Sequence, residues 1–130
     1  MKTIPAAYVH QTRHVPYADA IVDGYKVIET RSRNVLKDFV GERILIIRTQ
    51  SGKPSEIIGS VTITSSQFCP ASDFPGYFNQ HCVPPGSRYD CHGRGKWMYF
   101  LDDAVKFDAP IPVSSVTIAH KTRSYAIVEM

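Results

Sequence analysis

The sequence predicts a mostly β domain with some α, an α+β chain whose roughly six strands form a small barrel with helical elements at its ends. Three observations lead there. Short β-branched runs recur along the chain, at Ile44–Ile47, Ile57–Thr64 and Val116–Ala119 among others. Only Val15–Val22 has clear helical spacing. The length of 130 residues, with 43% apolar and 21% charged residues, suits one globular domain over 1–130, without repeat or linker.

Taken in order, Ile4 to Val9 reads as an edge or first strand, because Pro5 has no N–H for an interior ladder. His10-Gln11-Thr12-Arg13-His14 is a polar loop. In the helix after it, Pro16 suits the first turn, and Tyr17, Ala20 and Ile21 share a face. Gly24 then closes the helix in a left-handed conformation. Next comes Gly24-Tyr25-Lys26-Val27-Ile28-Glu29-Thr30-Arg31, a strand entrance with three ionisable side chains in six residues. Such a concentration calls for pairing or function.

Arg33 to Gly41 is a polar connection with one helical turn around Val35, Leu36 and Phe39. Arg43–Thr49 is a strand buried on both faces. The turn signal Ser51-Gly52-Lys53-Pro54 joins it to Ile57–Thr64, predicting an antiparallel hairpin. Gly59 marks a bulge or a point of close approach. Residues 66–95 lose periodicity, and so long an irregular segment in a compact domain points to function. Lys96–Phe107 returns to strand with a bend at Asp102-Asp103. The prolines keep 109–113 extended, and Val116–Ala119 and Ser124–Val128 are the last strands.

Composition narrows the function. No run approaches the roughly 20 apolar residues of a membrane span, and Met1 to Pro5 lacks the apolar core of a signal peptide. With three cysteines at irregular spacing, the expected location is a reducing cytoplasm. The net charge of +3 permits an anionic partner without demanding one. Basic residues cluster between 10 and 48 and again at Arg88, Arg94 and Lys96.

Glu29 and Arg31, two apart on a strand, share a face and can pair. Arg31 then keeps Glu29 ionised, and Glu29 accepts a hydrogen bond from a base edge or a water. Lys26 joins them if it precedes the strand or if the chain bends there, to bind phosphate or carbonyl or, once desolvated, to accept a proton. Tyr17 is a core residue or a stacking surface for a base. Arg13 has the planar fork that suits phosphate. Arg88 and Lys96 can form a basic lip over the cleft. Cys69, Cys82, Cys91, His81 and His92 raise a zinc-stabilised interaction module as a separate reading, although their spacing is not that of ordinary zinc modules.

Residues 24–31, with Pro16-Tyr17-Ala18 and Ile21 before them, resemble the signature of ASCH domains: a helix, then G-x-K-x-x-E-x-R, then a glycine before a buried strand. Gly41-Glu42-Arg43-Ile44-Leu45-Ile46 resembles that glycine and strand, and Ile58-Gly59-Ser60-Val61 the next one. Trp97 to Leu101 and Pro110 to Val113 resemble the aromatic strand and its proline-bracketed exit. The resemblance implies a small PUA-like β-barrel with flanking helices, and a cleft lined by Lys26, Glu29 and Arg31. It implies an RNA or nucleotide-like ligand. No cofactor, metal or membrane partner is expected of the chain. It also implies an alternative, a hydrolase acting on RNA (a ribonuclease) or on an acylated cytidine, in which Lys26 and Glu29 do acid–base work. In the amidohydrolase branch of that family a threonine nucleophile stands where this chain has Glu29. Thr30 is one step along the strand and faces the other way, which weighs against its replacing that nucleophile.

Overall fold

The computed structural model describes residues 2–130. In chain order the elements are β1 (Thr3–His10), α1 (Tyr17–Val22), β2 (Ile28–Arg31), β3 (Arg43–Gln50), β4 (Lys53–Cys69), α2 (Phe78–His81), β5 (Lys96–Pro112), β6 (Thr117–Lys121) and β7 (Tyr125–Glu129). Short 3-10 turns lie at Lys37–Phe39, Phe74–Tyr77 and Val113–Ser115. The strands form one seven-stranded sheet in the order β2-β5-β4-β3-β1-β7-β6. Among the described residues its only parallel pair is β1 with β3.

The expected mostly β, α+β class is therefore correct, with seven strands rather than about six. The expected barrel is not closed. β2 and β6 are the two free edges of the sheet, with no ladder between them. β2 is only four residues long, and what reaches from it to β1 and to the turn before β7 is one side chain, Arg31. β1 is an interior strand, not an edge. Pro5 is tolerated because pairing with β3 starts at Ala6, after the proline.

The apolar run of β3 is buried on both faces. Ile44 and Ile46 enter the larger core with α1, while Leu45 and Ile47 enter a second core with Ile57, Ala126 and Val128. The β3–β4 hairpin turns through Ser51 and Gly52, the latter at φ +77°. Both β4 and β5 are 17 residues long and bend at bulges. One bulge includes Asp103 at φ +52°. At Gly59 a Cβ would sit 2.2 Å from the Val105 carbonyl oxygen and 2.7 Å from Val22 Cγ1, so the missing side chain is what lets α1 lie against β4.

α1 buries Tyr17, Ala18, Ile21 and Val22; Ala20 is only half-buried. Gly24 at φ +83° ends the helix as expected, with its N–H on the Ile21 carbonyl and the Tyr25 N–H on that of Ala20. This reversal delivers Lys26 to the start of β2. The segment 66–95 is less irregular than its composition suggests. Its first four residues complete β4, and residues 74–81 make two short helical turns. Residues 70–73 and 82–95 lack helix and strand, and the second of these stretches covers the site described next.

Candidate ligand-binding site

β2 alternates in burial. Ile28 and Thr30 are buried, Glu29 and Arg31 half-buried, and the latter two share a face as their spacing requires. Lys26 precedes the strand and is therefore free of its alternation. Its side chain, 2% exposed, lies 3.7 Å from Glu29 Oε1 and 4.9 Å above the Tyr17 ring centre. Nζ donates to the Ile28 carbonyl at 2.9 Å and to the His81 carbonyl.

Glu29 holds the centre. Its Oε1 accepts the Thr30 N–H at 3.0 Å, and its Oε2 accepts from Arg31 at 3.1 Å. The Arg31 guanidinium also donates to the carbonyls of Tyr8, at 2.7 Å, and Ser124, at 3.4 Å. Burial alone would raise the Glu29 pKa, but Arg31, Lys26 and the Thr30 N–H together outweigh it and hold the carboxyl below its ordinary range. Burial depresses the Lys26 ammonium, opposed by Glu29.

Over this floor lies a cavity of about 290 Å³, whose walls include Tyr8, Tyr17, Val83, Tyr89 and Lys96. Tyr17 and Tyr89 meet edge to face, with ring centres 5.9 Å apart. Lys96 is 6% exposed and has no hydrogen bond or ion pair to another side chain or carbonyl among the described residues. Burial lowers its pKa, with Glu29 opposing. Lys96 thus faces the cavity with no direct protein partner among the described residues, its charge favoured through space by Glu29.

Of the residues expected at a site, Lys26, Glu29, Arg31, Tyr17 and Lys96 line this cavity. Arg88 lines a smaller adjoining concavity that shares His10, Tyr17 and Tyr89, and it lies over the Tyr89 ring at 5.4 Å. Arg13 is exposed and outside both linings. Tyr8 and Val83 were not among the expected ligand contacts, whereas His10 flanks the cavity and Tyr89 comes from the segment expected to form its lip. The hint for Val83 was that residues 66–95 lose periodicity, which left part of that segment available to cover something.

The zinc reading loses its best ligand. His81 is fully buried and stacked on Phe74, with ring centres 4.0 Å apart. Its Nε2 faces the Phe74 carbonyl at 2.8 Å and its Nδ1 accepts the Val83 N–H at 2.8 Å, so both nitrogens are committed to backbone. No group of three or more His, Cys, Asp or Glu side chains is placed to hold a metal ion among the described residues. No helix among them is long and apolar enough to cross a membrane.

No protein-family model and no curated protein matches the sequence. Solved structures do match. A serine-to-alanine mutant of ZmASCH from Zymomonas mobilis superposes with a TM-score of 0.70 at 20% identity, over 95% of this chain and 88% of that one. ASCH from Zymomonas mobilis gives 0.67 at 23% identity, over 84% of this chain and 74% of that one. A tyrosine-to-phenylalanine mutant of ZmASCH gives 0.65 at 23%, over 84% and 76%. Identities this low speak for architecture alone, and the architecture they share across most of both chains is the ASCH fold.

Proposed function

We propose that this chain is an ASCH domain that binds RNA or a nucleotide-like ligand, with one unpaired base in the cavity above Lys26, Glu29 and Arg31. The observation that carries the reading is Lys96, nine-tenths buried in a tyrosine-walled cavity, whose ammonium makes no hydrogen bond or ion pair to the protein among the described residues. A polar ligand with an acceptor oxygen supplies what the protein withholds. The volume lies at the small end of the roughly 300–1,000 Å³ of ligand pockets, suited to one base rather than a duplex. The tyrosines offer it apolar faces. Glu29, held ionised, has lone pairs left after Thr30 and Arg31 and accepts from an exocyclic amino group. Bases that carry such a group therefore bind better than uracil.

A second reading, hydrolysis of RNA or of an acylated cytidine, rests on Lys26. Were its depressed ammonium to lose a proton, its two remaining N–H groups would still serve the Ile28 and His81 carbonyls. The freed lone pair could then take the proton of an attacking water and return it to the leaving group.

One experiment addresses both. Calorimetric titration with the four nucleosides, their monophosphates and short single-stranded RNA measures binding, and mass spectrometry of the same mixtures, with N-acylated cytidine added, detects products. Lys96→Met should weaken binding by about tenfold or more, since a charged hydrogen bond contributes about 1.5–3 kcal/mol. No binding below about 1 mM by any of these compounds, or wild-type affinity in Lys96→Met, overturns the binding reading. Product formation undiminished in Lys26→Met/Glu29→Gln overturns the hydrolytic one.

A further inference from the structure

Tyr8 has a concavity on each side. One is the cavity above Glu29; the other is a shallower depression of about 340 Å³ that shares Tyr8 and His10 with it. This second depression is walled by the β6–β7 turn, with Lys121, Thr122 and Arg123, and by Thr49 and Ser55 of the β3–β4 hairpin. Its lining has two cations, the hydroxyls of Thr49, Ser55 and Thr122, the Tyr8 phenol, and no carboxylate. Neither Lys121 nor Arg123 makes an ion pair among the described residues.

The turn that presents these cations is held in shape. Thr122 Oγ1 accepts the N–H groups of Ser124 at 3.1 Å and Tyr125 at 3.0 Å and donates to the Tyr125 carbonyl at 3.2 Å, to which the Thr122 N–H also donates at 2.9 Å. Lys121 Nζ lies 5.5 Å from the Tyr8 ring centre, at the boundary between the two concavities. Arg31 bonds at once to Glu29 in the cavity, to the Tyr8 carbonyl in the dividing wall and to the Ser124 carbonyl in the turn. The two concavities are thus fixed relative to one another by the same guanidinium.

We propose that the depression at Lys121, Thr122 and Arg123 is a backbone-phosphate site for the nucleotide adjoining the base in the cavity, so that the domain takes single-stranded polynucleotide in preference to free nucleoside. The proposal rests on the cavity holding a base. Two cations with the Thr49 and Ser55 hydroxyls beside them, and no carboxylate, suit a phosphodiester, whose oxygens accept from both kinds of donor, while the Thr122 hydroxyl is committed to the turn. Contiguity with a one-base cavity suits a chain that continues past it. A duplex does not fit, because the base must leave its partner to enter.

The test compares Lys121→Ala/Arg123→Ala with the wild type, using one nucleoside and an oligonucleotide of the same base across a series of salt concentrations, with thermal melts as a folding control. The variant should bind the nucleoside as the wild type does. Its affinity for the oligonucleotide should fall about tenfold at low salt, and the slope of log affinity on log salt should shrink by about 1.4, the loss of two single-strand phosphate contacts. An unchanged affinity and slope overturns the phosphate site and leaves the cavity reading standing. Oligonucleotide binding that the variant loses, with no nucleoside binding and no effect of Lys96→Met, removes the base from the cavity and so overturns the proposal, leaving only an anion contact at the turn. A wild type that binds neither probe overturns both.

Discussion

Glu29 is held between two cations, one of which, Lys26, cannot leave. Lys26 Nζ is fastened to the Ile28 and His81 carbonyls, so its charge stays within reach of the carboxylate whether or not a ligand is present. Arg31 reaches the same carboxylate from the neighbouring strand position. Removing the anion while leaving both cations buried is the costly kind of change, about 3 kcal/mol for a partner lost from a buried pair. Glu29→Gln should therefore unfold at lower denaturant at neutral pH. The pH dependence has a definite sign. Because the folded-state pKa of Glu29 is depressed, its stabilisation is complete above the unfolded carboxylate pKa and is lost as pH falls through the lower, folded one. Urea melts at a series of pH values should show the gap between wild type and Glu29→Gln narrowing over that acid range; a gap that stays constant with pH would mean the carboxylate is not what the two cations depend on. At this scale the sequence was informative about Lys26, Glu29 and Arg31, because period-two alternation and a helix-ending glycine are local rules. It was silent about Tyr8, which reaches the cavity from β1, and about the fact that two of the three bonds of Arg31 go to carbonyls of distant residues.

Among the elements, the contact of α1 with β4 sets the position of the site, since α1 ends in the turn that delivers Lys26. That contact depends on Gly59. Its absent Cβ would collide with the Val105 carbonyl and with Val22 of α1, and a carbonyl in a ladder cannot swing aside. Gly59→Ala should cost about 1–3 kcal/mol, as overpacking in a core does. Gly76→Ala, where a Cβ meets nothing within 4 Å, should change stability by no more than about 0.5 kcal/mol. Chemical denaturation of the two variants checks this, and equal losses would show that backbone freedom rather than contact is what matters at position 59. The sequence indicated a bulge or close approach at Gly59, and β3, β6 and β7 emerged near their expected bounds, because β-branched runs mark strands locally. β4 was longer than expected: it continues through Ser65, Ser66 and Gln67, polar residues with no apolar alternation, which are strand because β5 pairs with them.

The whole sheet stops short of a closed barrel, and this could not be read from local patterns, since closure depends on how two distant edges meet. β2 is the edge beside β5, yet its last residue, Arg31, bonds to carbonyls of Tyr8 and Ser124 on the far side of the sheet. One guanidinium thus does across the gap what a ladder does elsewhere, and it does so while holding Glu29. A lysine retains the charge but not the planar fork that reaches three acceptors. Arg31→Lys should therefore keep Glu29 ionised while releasing the Tyr8 and Ser124 carbonyls, and the fold should loosen locally rather than everywhere. Hydrogen exchange should show amides of residues 28–31 and 122–125 losing protection by about tenfold, equivalent to about 1.4 kcal/mol of local opening, while the β3–β4 hairpin, stitched by its own ladder, keeps wild-type rates. Loss spread evenly over all strands would instead make Arg31 a determinant of global stability, and no loss at 28–31 would mean that the pairing of β2 with β5 suffices to hold that edge in place.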